Sequence, residues 1–411
     1  MDFEEHPDDL AFRLEARAWL AEHAPRRQEG EPSWSEHRPR TRGEDDLLVE
    51  KSRRWQETKH AAGWAGIAWP PESGGRGRSA NQARIFSEEE SRYETPAGLF
   101  MVAIDMAGPT IQQHGSDEQR RRHLEPTLRG EQIWCQLFSE PSAGSDLAAL
   151  RTRAERDGDE WVINGQKVWT TSAHHADYGL LLARTDWDVP KHEGISDCLV
   201  PRVTPGVAVR PLLQIDGAAH FNAVFLTDVR LPASQVLGGV HRGWGVAMTT
   251  LLAERTAIGG AGTVRFDDIL RLAERFDRRG DPVVRQHLAA AYTRFQIQQW
   301  LAWRAQTAVE RGRMPGPEAS VLKLMGSNHV AANAELYQEL SGSHGVLWQD
   351  DGFERGRWQG AFLYQWASRL GGGTDQVQRN VIGERVLGLA REPRADRDVA
   401  FRDLPTESVQ G

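Results

Sequence analysis

Apolar positions along the 411-residue chain change their spacing twice. Residues 8–23 repeat helically, with Leu10, Leu14, Arg17 and Ala18 on one face. Residues 25–46 are rich in Pro, Arg, Glu and Gly and read as an exposed loop; helical text resumes near Asp46. The Trp69-Pro70-Pro71 stretch through Gly77 must be turn-rich, and further helices are predicted to about Arg129.

From Glu131 the period shortens. Trp161 to Trp169 forms two apolar runs around Asn164-Gly165, which predicts a hairpin turning there. Tyr178–Ala183, Cys198–Val203, Val207–Val209 and Ala223–Leu226 are further strand candidates, separated by turns such as Pro205-Gly206. Beyond Gly243 the helical period returns. Asp281-Pro282 is an N-cap with a first-turn proline, ahead of Val284, Leu288, Ala291 and Phe295 on one face. Gly316-Pro317 opens another helix, with Leu322, Met325, Ala332 and Leu336. Gly371-Gly372-Gly373-Thr374 breaks the chain before a last helix ending near Gly388, and the tail after Pro393 reads as polar and loose.

Helices, a β block, then helices make an α+β chain rather than a βαβ succession. The expected division is an N-terminal helical domain (1–130), a middle β-barrel or sandwich domain (131–240), a C-terminal four-helix bundle (241–395) and a polar tail (396–411).

Composition narrows the function. The length exceeds one ordinary core, and 39% hydrophobic with 26% charged residues is globular. A net charge of −8 argues against a nucleic-acid binder. Cys135 and Cys198, the two cysteines, make no disulfide framework or Cys/His metal site, and the histidines lack metal-ligand spacing. The acidic Met1-Asp2-Phe3-Glu4-Glu5 start is unlike a signal peptide, and no apolar run nears the roughly 20 residues of a membrane span. The expectation is a cytoplasmic protein. No Gly-x-Ser-x-Gly elbow points to a hydrolase, and no Rossmann glycine fingerprint follows a strand.

Four segments carry a resemblance. They are Pro109-Thr110-Ile111 with His114-Gly115; Phe138-Ser139-Glu140-Pro141-Ser142-Ala143-Gly144-Ser145-Asp146; Ile163 to Thr171; and Gly373-Thr374-Asp375-Gln376-Val377-Gln378-Arg379. In this order and spacing they resemble the acyl-CoA dehydrogenase family, over about residues 8 to 392. The resemblance implies FAD between the β and C-terminal domains, with part of its site from a neighbouring subunit of a homodimer or homotetramer. It implies flavin contacts from Leu137, Ser139, Gly144, Ser145, Trp169, Thr170, Thr171, Thr374 and Gln376. Ser139 would lie near the ring, Ser145 near the pyrophosphate or the thioester arm, and Trp169 and Thr171 beside the isoalloxazine. The substrate implied is a thioester of CoA or of an acyl-carrier protein, and the electron acceptor an electron-transfer flavoprotein.

Such chemistry needs a base for a Cα proton, a hydride acceptor facing Cβ, and donors where enolate charge develops. In medium-chain relatives the base is a Glu directly before the C-terminal Gly-Thr. That position is Gly372 here, which keeps only its backbone N–H. Isovaleryl-CoA and long-chain relatives carry the base in a Glu-Arg segment on the first helix of the C-terminal domain, and Glu254-Arg255 matches it. Independently, Ala247, Leu251, Glu254 and Ile258 share a helical face, a lone carboxylate on an apolar stripe. Glu254 is thus the expected base and Arg255 a substrate-side residue.

Two flavin-linked motifs are altered. The family's Arg-x-x-Phe-Gly falls where this chain has Glu274 to Pro282, and Gln-x-x-Gly-Gly becomes Glu339-Leu340-Ser341-Gly342-Ser343. These changes leave two alternatives to an active dehydrogenase: a non-catalytic subunit partnering an active homologue, and a flavin-dependent oxidase or monooxygenase offshoot.

Overall fold

A computed structural model of the chain describes residues 6–28, 34, 39–259, 264–310, 318–391, 393 and 396–405. In chain order the elements begin with α1 (Pro7–His23), α2 (Arg42–Ala61), α3 (Ala80–Glu90), α4 (Gly108–His114) and α5 (Asp117–Leu128). The strands follow: β1 (Trp134–Leu137), β2 (Arg153–Asp157), β3 (Glu160–Thr171), β4 (Tyr178–Arg184), β5 (Ile195–Pro201), β6 (Val207–Pro211), β7 (Phe221–Pro232) and β8 (Val236–Leu237). Last come α6 (Gly243–Gly259), α7 (Phe266–Arg275), α8 (Pro282–Glu310), α9 (Glu318–Ser341), α10 (Arg357–Leu370) and α11 (Asp375–Val381). The helix–strand–helix order expected from the pattern is the one observed.

The chain divides into two compact units. One comprises Met1–Gly98, Ile215–Ala218 and Arg255–Leu389; the other comprises Leu99–Gln214, Ala219–Glu254 and Ala390–Gly411.

In the first unit, α1 is helical where predicted, but the opposite face turns inward. Phe12, Ala16 and Leu20 are buried, whereas Leu10 and Leu14 are 47% and 54% exposed. Phe12, Ala16 and Leu20, with Trp19, are the unbroken apolar stripe, whereas the other carries Arg17, and Phe12 packs against Trp64. Arg13 and Arg17 reach the buried Glu89 of α3, at 2.9 and 3.0 Å. Farther along, Asp281 caps α8 as expected, accepting from the Val283 and Val284 N–H groups. Val284, Leu288 and Ala291 then pack with Leu336, Leu340 and Trp358 in a second core. Of the face expected on α9 only Leu336 is buried; the helix also buries Lys323, Ser327 and Asn333. Gly316-Pro317 lies outside the described residues.

The second unit is built on one eight-stranded sheet in the order β6-β7-β3-β2-β4-β5-β8, with β1 parallel beside β4. The hairpin expected at Asn164-Gly165 turns elsewhere. Asp157 pairs with Glu160 across a two-residue turn at Gly158-Asp159, Gly158 supplying φ +59°. β3 runs straight through Asn164-Gly165 for twelve residues, with a register shift there against β7. Asn164 exchanges two hydrogen bonds with Asp228 of β7, at 3.0 and 2.9 Å. Gly165 is glycine because a Cβ there would lie 2.5 Å from Thr152 Oγ1. These are demands of β7 and of the residue that leads into β2, not of a turn.

The tail also departs from expectation. Phe401 is buried, its N–H donating to Val189 O and that of Arg402 to Trp187 O, with a β-bridge between Pro190 and Ala400. An apolar anchor in a polar segment escapes any averaged measure of polarity. No helix among the described residues is long and apolar enough to cross a membrane.

Candidate active site

Three segments of the second unit converge on the sequence-predicted residues. The first follows β1. Leu137 and Phe138 are buried, Ser139 is half-buried, and the chain then doubles back through paired Glu140 and Ala143 backbone bonds of 3.0 and 3.1 Å. Beyond this tight turn Gly144, Ser145 and Asp146 are exposed, and a Cβ on Gly144 would meet nothing within 4 Å. The small residues keep this backbone open to a ligand.

The second segment is the end of β3. Val168 N–H donates to Ser139 O at 2.9 Å, which joins it to the first. Beneath them lies a buried ion pair that sequence reasoning missed. Lys167 Nζ, fully buried, donates to Glu140 Oε1 at 2.8 Å and to Phe138 O at 3.0 Å. Glu140 accepts as well from the Arg151 and Thr152 N–H groups, at 2.7 and 2.8 Å. Burial pushes the Glu140 carboxyl up, but Lys167 and these hydrogen bonds outweigh it and hold the group below the usual carboxylate range. Burial pulls the Lys167 ammonium down, opposed by Glu140. The signal was available in the sequence: a lone Lys in an otherwise alternating strand and a lone Glu beside Pro141.

Past Lys167 the ladder with β7 breaks, and Trp169 takes φ +60° within that irregularity. The residue is 62% exposed, and its indole meets Phe221 edge-on at 6.0 Å. A bulky residue held at positive φ, presenting an aromatic face to solvent, points to a ligand contact. Thr170 alternates inward; its carbonyl accepts from Asn222, while its buried Oγ1 has no hydrogen-bond partner. Thr171 is half-buried. An open glycine, hydroxyls, an unsatisfied buried Oγ1 and an exposed indole fit a flavin and its phosphates.

The third segment is α6. Val246, Ala247 and Thr250 are buried, and Thr250 Oγ1 lies 3.0 Å from Thr110 Oγ1 of α4. One turn on, the half-buried Glu254 accepts from Gln136 Nε2 of β1 at 3.3 Å. Gln136 was also missed in the sequence, although it is the polar position between buried Cys135 and Leu137. The side chain of Arg255 lies outside the described residues.

Gly372, Thr374 and Gln376 belong to the first unit. Gly372 and Gly373 take φ +65° and +85°, and Gln378 Nε2 donates to Gly372 O at 2.8 Å. Thr374 caps α11 by accepting from Val377 N–H, and Gln376 is exposed. A cavity of about 480 Å³ in the second unit, lined by His114, Gln119, Arg122, His123 and Gln235 among others, contains none of the predicted site residues.

Three family models match in succession: the acyl-CoA dehydrogenase N-terminal domain over residues 6–131, the middle domain over 135–229, and the C-terminal domain over 241–387. The chain is 38% identical over 403 residues to acyl-CoA dehydrogenase IpdE1 of Mycobacterium tuberculosis, covering 93% of this chain and 98% of that one. Among solved structures it is similar to the Tcur3481-Tcur3483 steroid ACAD, with TM-score 0.80, 30% identity and coverage of 95% and 100%. It is also similar to the ChsE4-ChsE5 complex of Mycobacterium tuberculosis, with TM-score 0.77, 30% identity and coverage of 96% and 100%.

Proposed function

As this chain belongs to the acyl-CoA dehydrogenase family and is an oxidoreductase of that type, we propose that Glu254 is the base that takes the Cα proton. The observation that carries this reading is the half-buried Glu254 carboxylate on α6, oriented by Gln136. The Gln136 amide donates to the carboxylate and so helps to fix its direction, as a proton acceptor at a defined carbon requires. Gly372 offers no competing carboxylate, and its N–H is the proposed donor to the thioester oxygen as negative charge grows there. Leu137, Ser139, Gly144, Ser145, Trp169, Thr170 and Thr171, with Thr374 and Gln376, are the proposed FAD contacts. Bound FAD would supply the hydride acceptor for Cβ. Ser145 would steady the phosphate-bearing arm, and Arg255 would stay on the substrate side.

One neighbour is titled the ChsE4-ChsE5 complex, and the other, named by two proteins, is titled a steroid ACAD. By that likeness the proposed substrate is a CoA thioester with a bulky ring system. The proposed partner is a second acyl-CoA dehydrogenase-type chain, and electrons would pass to an electron-transfer flavoprotein. The test is anaerobic flavin bleaching by ring-bearing and straight-chain acyl-CoAs, wild type against Glu254→Gln. Wild type is expected to bleach, and the variant to bind FAD and thioester with bleaching slowed by at least about 10³-fold. Equal bleaching by both would place the base elsewhere.

A further inference from the structure

The docked tail reaches the same loop that carries Ser145. Arg184, at the end of β4, is fully buried and donates to Ala148 O at 2.6 Å, to Leu150 O at 3.1 Å and to Lys191 O at 3.1 Å. No carboxylate lies within ion-pair distance of it among the described residues. Its cover is aromatic: the guanidinium carbon stands 3.4 Å from the centroid of Phe401, and Trp187 packs on the same ring at 5.2 Å. A buried cation that donates only to carbonyls depends on such a π face. A second tie runs parallel. Lys191 Nζ is 2.7 Å from both Asp146 of the loop and Asp396 of the tail. Burial draws the Arg184 guanidinium down to about 10, against the opposing pull of Glu140.

We propose that residues 396–402 form a strap, with Phe401 a positioning residue that acts through Arg184 to hold the 143–150 loop, and so sets affinity for the phosphate-bearing arm of the thioester. This rests on Ser145 contacting that arm. Removal of the π face would strip Arg184 of its favourable cover, weaken its hold on the Ala148 and Leu150 carbonyls, and loosen the turn just beyond Ser145. Glu254 lies on another element, so the proton-abstraction step would be spared.

The experiment uses the FAD-loaded protein with Phe401→Leu, which keeps an apolar plug without a π face, and Phe401→Tyr, which restores one. Amide hydrogen exchange at residues 143–150 is read beside steady-state kinetics. Phe401→Leu is expected to speed exchange selectively at 143–150 and raise KM on the order of tenfold with kcat within about twofold. Phe401→Tyr returns both towards wild type. Asp396→Asn is the milder variant should Phe401→Leu not fold, moving the same amides by less. Unchanged exchange, exchange rising evenly across the sheet, or a fall in kcat matching the rise in KM would each overturn the proposal. Exchange needs no turnover, so absence of bleaching in the wild type would sink the dehydrogenase reading while the strap is still measured.

Discussion

A buried lysine anchors each of two turns that carry proposed flavin contacts, but the two anchors are built differently. In the sheet unit, Lys167 meets Glu140 at 2.8 Å, and the remaining donors to Glu140 are backbone N–H groups. In the helical unit, Lys323 of α9 lies 3.5 Å from Asp375, which also takes Ser327 and, at 3.1 Å, Arg369 of α10. Glu140 therefore has one cation, whereas Asp375 shares two and a hydroxyl. Backbone donors cannot be mutated away or swing to solvent, so the strand pair is rigid but has no substitute cation. The helical cluster is looser and redundant. Desolvation makes this matter, because an uncompensated buried charge costs more than its pair contributes.

Lys167→Met should break the contrast most severely. Glu140 would be left buried against two N–H groups alone, and thermal or urea unfolding should show a loss of about 3–5 kcal/mol. Equal stability to wild type would show that the pair is replaceable. Lys323→Met should cost less, about 1–3 kcal/mol in the same assay, since Arg369 and Ser327 remain on Asp375. A larger loss than for Lys167→Met would reverse the comparison.

Acid sharpens it further. Both carboxyls are held below their usual range, Glu140 chiefly by Lys167 and Asp375 by Ser327 and Arg369, each against the opposing effect of burial. The stability they contribute is present above the ordinary carboxylate pKa and is lost as pH falls through the lowered one. Histidines shielded from water add a loss at higher pH in both units, His114 and His123 in the sheet unit and His329 in the helical one. His329, on the same helix as Lys323, is pulled down to about 4 by burial and then by Arg294, and its Nε2 accepts from Asn333 at 2.9 Å. The unfolded chain binds a proton near 6.5 that the folded one refuses, so stability falls as pH drops from 6.5 towards 4. Chemical denaturation at pH 7 and pH 5 should show His329→Gln sparing about 1–2 kcal/mol of that loss. Parallel slopes for variant and wild type would remove His329 from the account.

Much of the fold was legible because it follows from local rules. The Asp281 cap on α8, the Gly371 to Thr374 break and the strand at Tyr178 all rest on signals within a few residues. The errors share a cause. Asn164-Gly165 has the composition of a turn, yet its residues answer to Asp228 on β7 and to Thr152 just before β2. Leu10 and Leu14 are helically spaced as read, but the face that α1 buries is that of Phe12, Ala16 and Leu20. In the candidate site the Glu254 stripe and the Ser139 to Asp146 motif stand out in one dimension. Gln136, 118 residues from Glu254, does not.

The sequence by itself determined which stretches are helix and strand, the α+β order, the family, and a carboxylate on the inward face of α6. Backbone propensity, capping and side-chain period act over one or two turns, and the order of motifs needs no geometry. Only the tertiary structure decided that Gln136 orients Glu254, that Lys167 locks Glu140, and that Phe401 covers Arg184. Each joins groups far apart in the chain whose charges or polar atoms were stripped of water together. Which partner satisfies them depends on strand register and helix rotation, and these are set when the cores close.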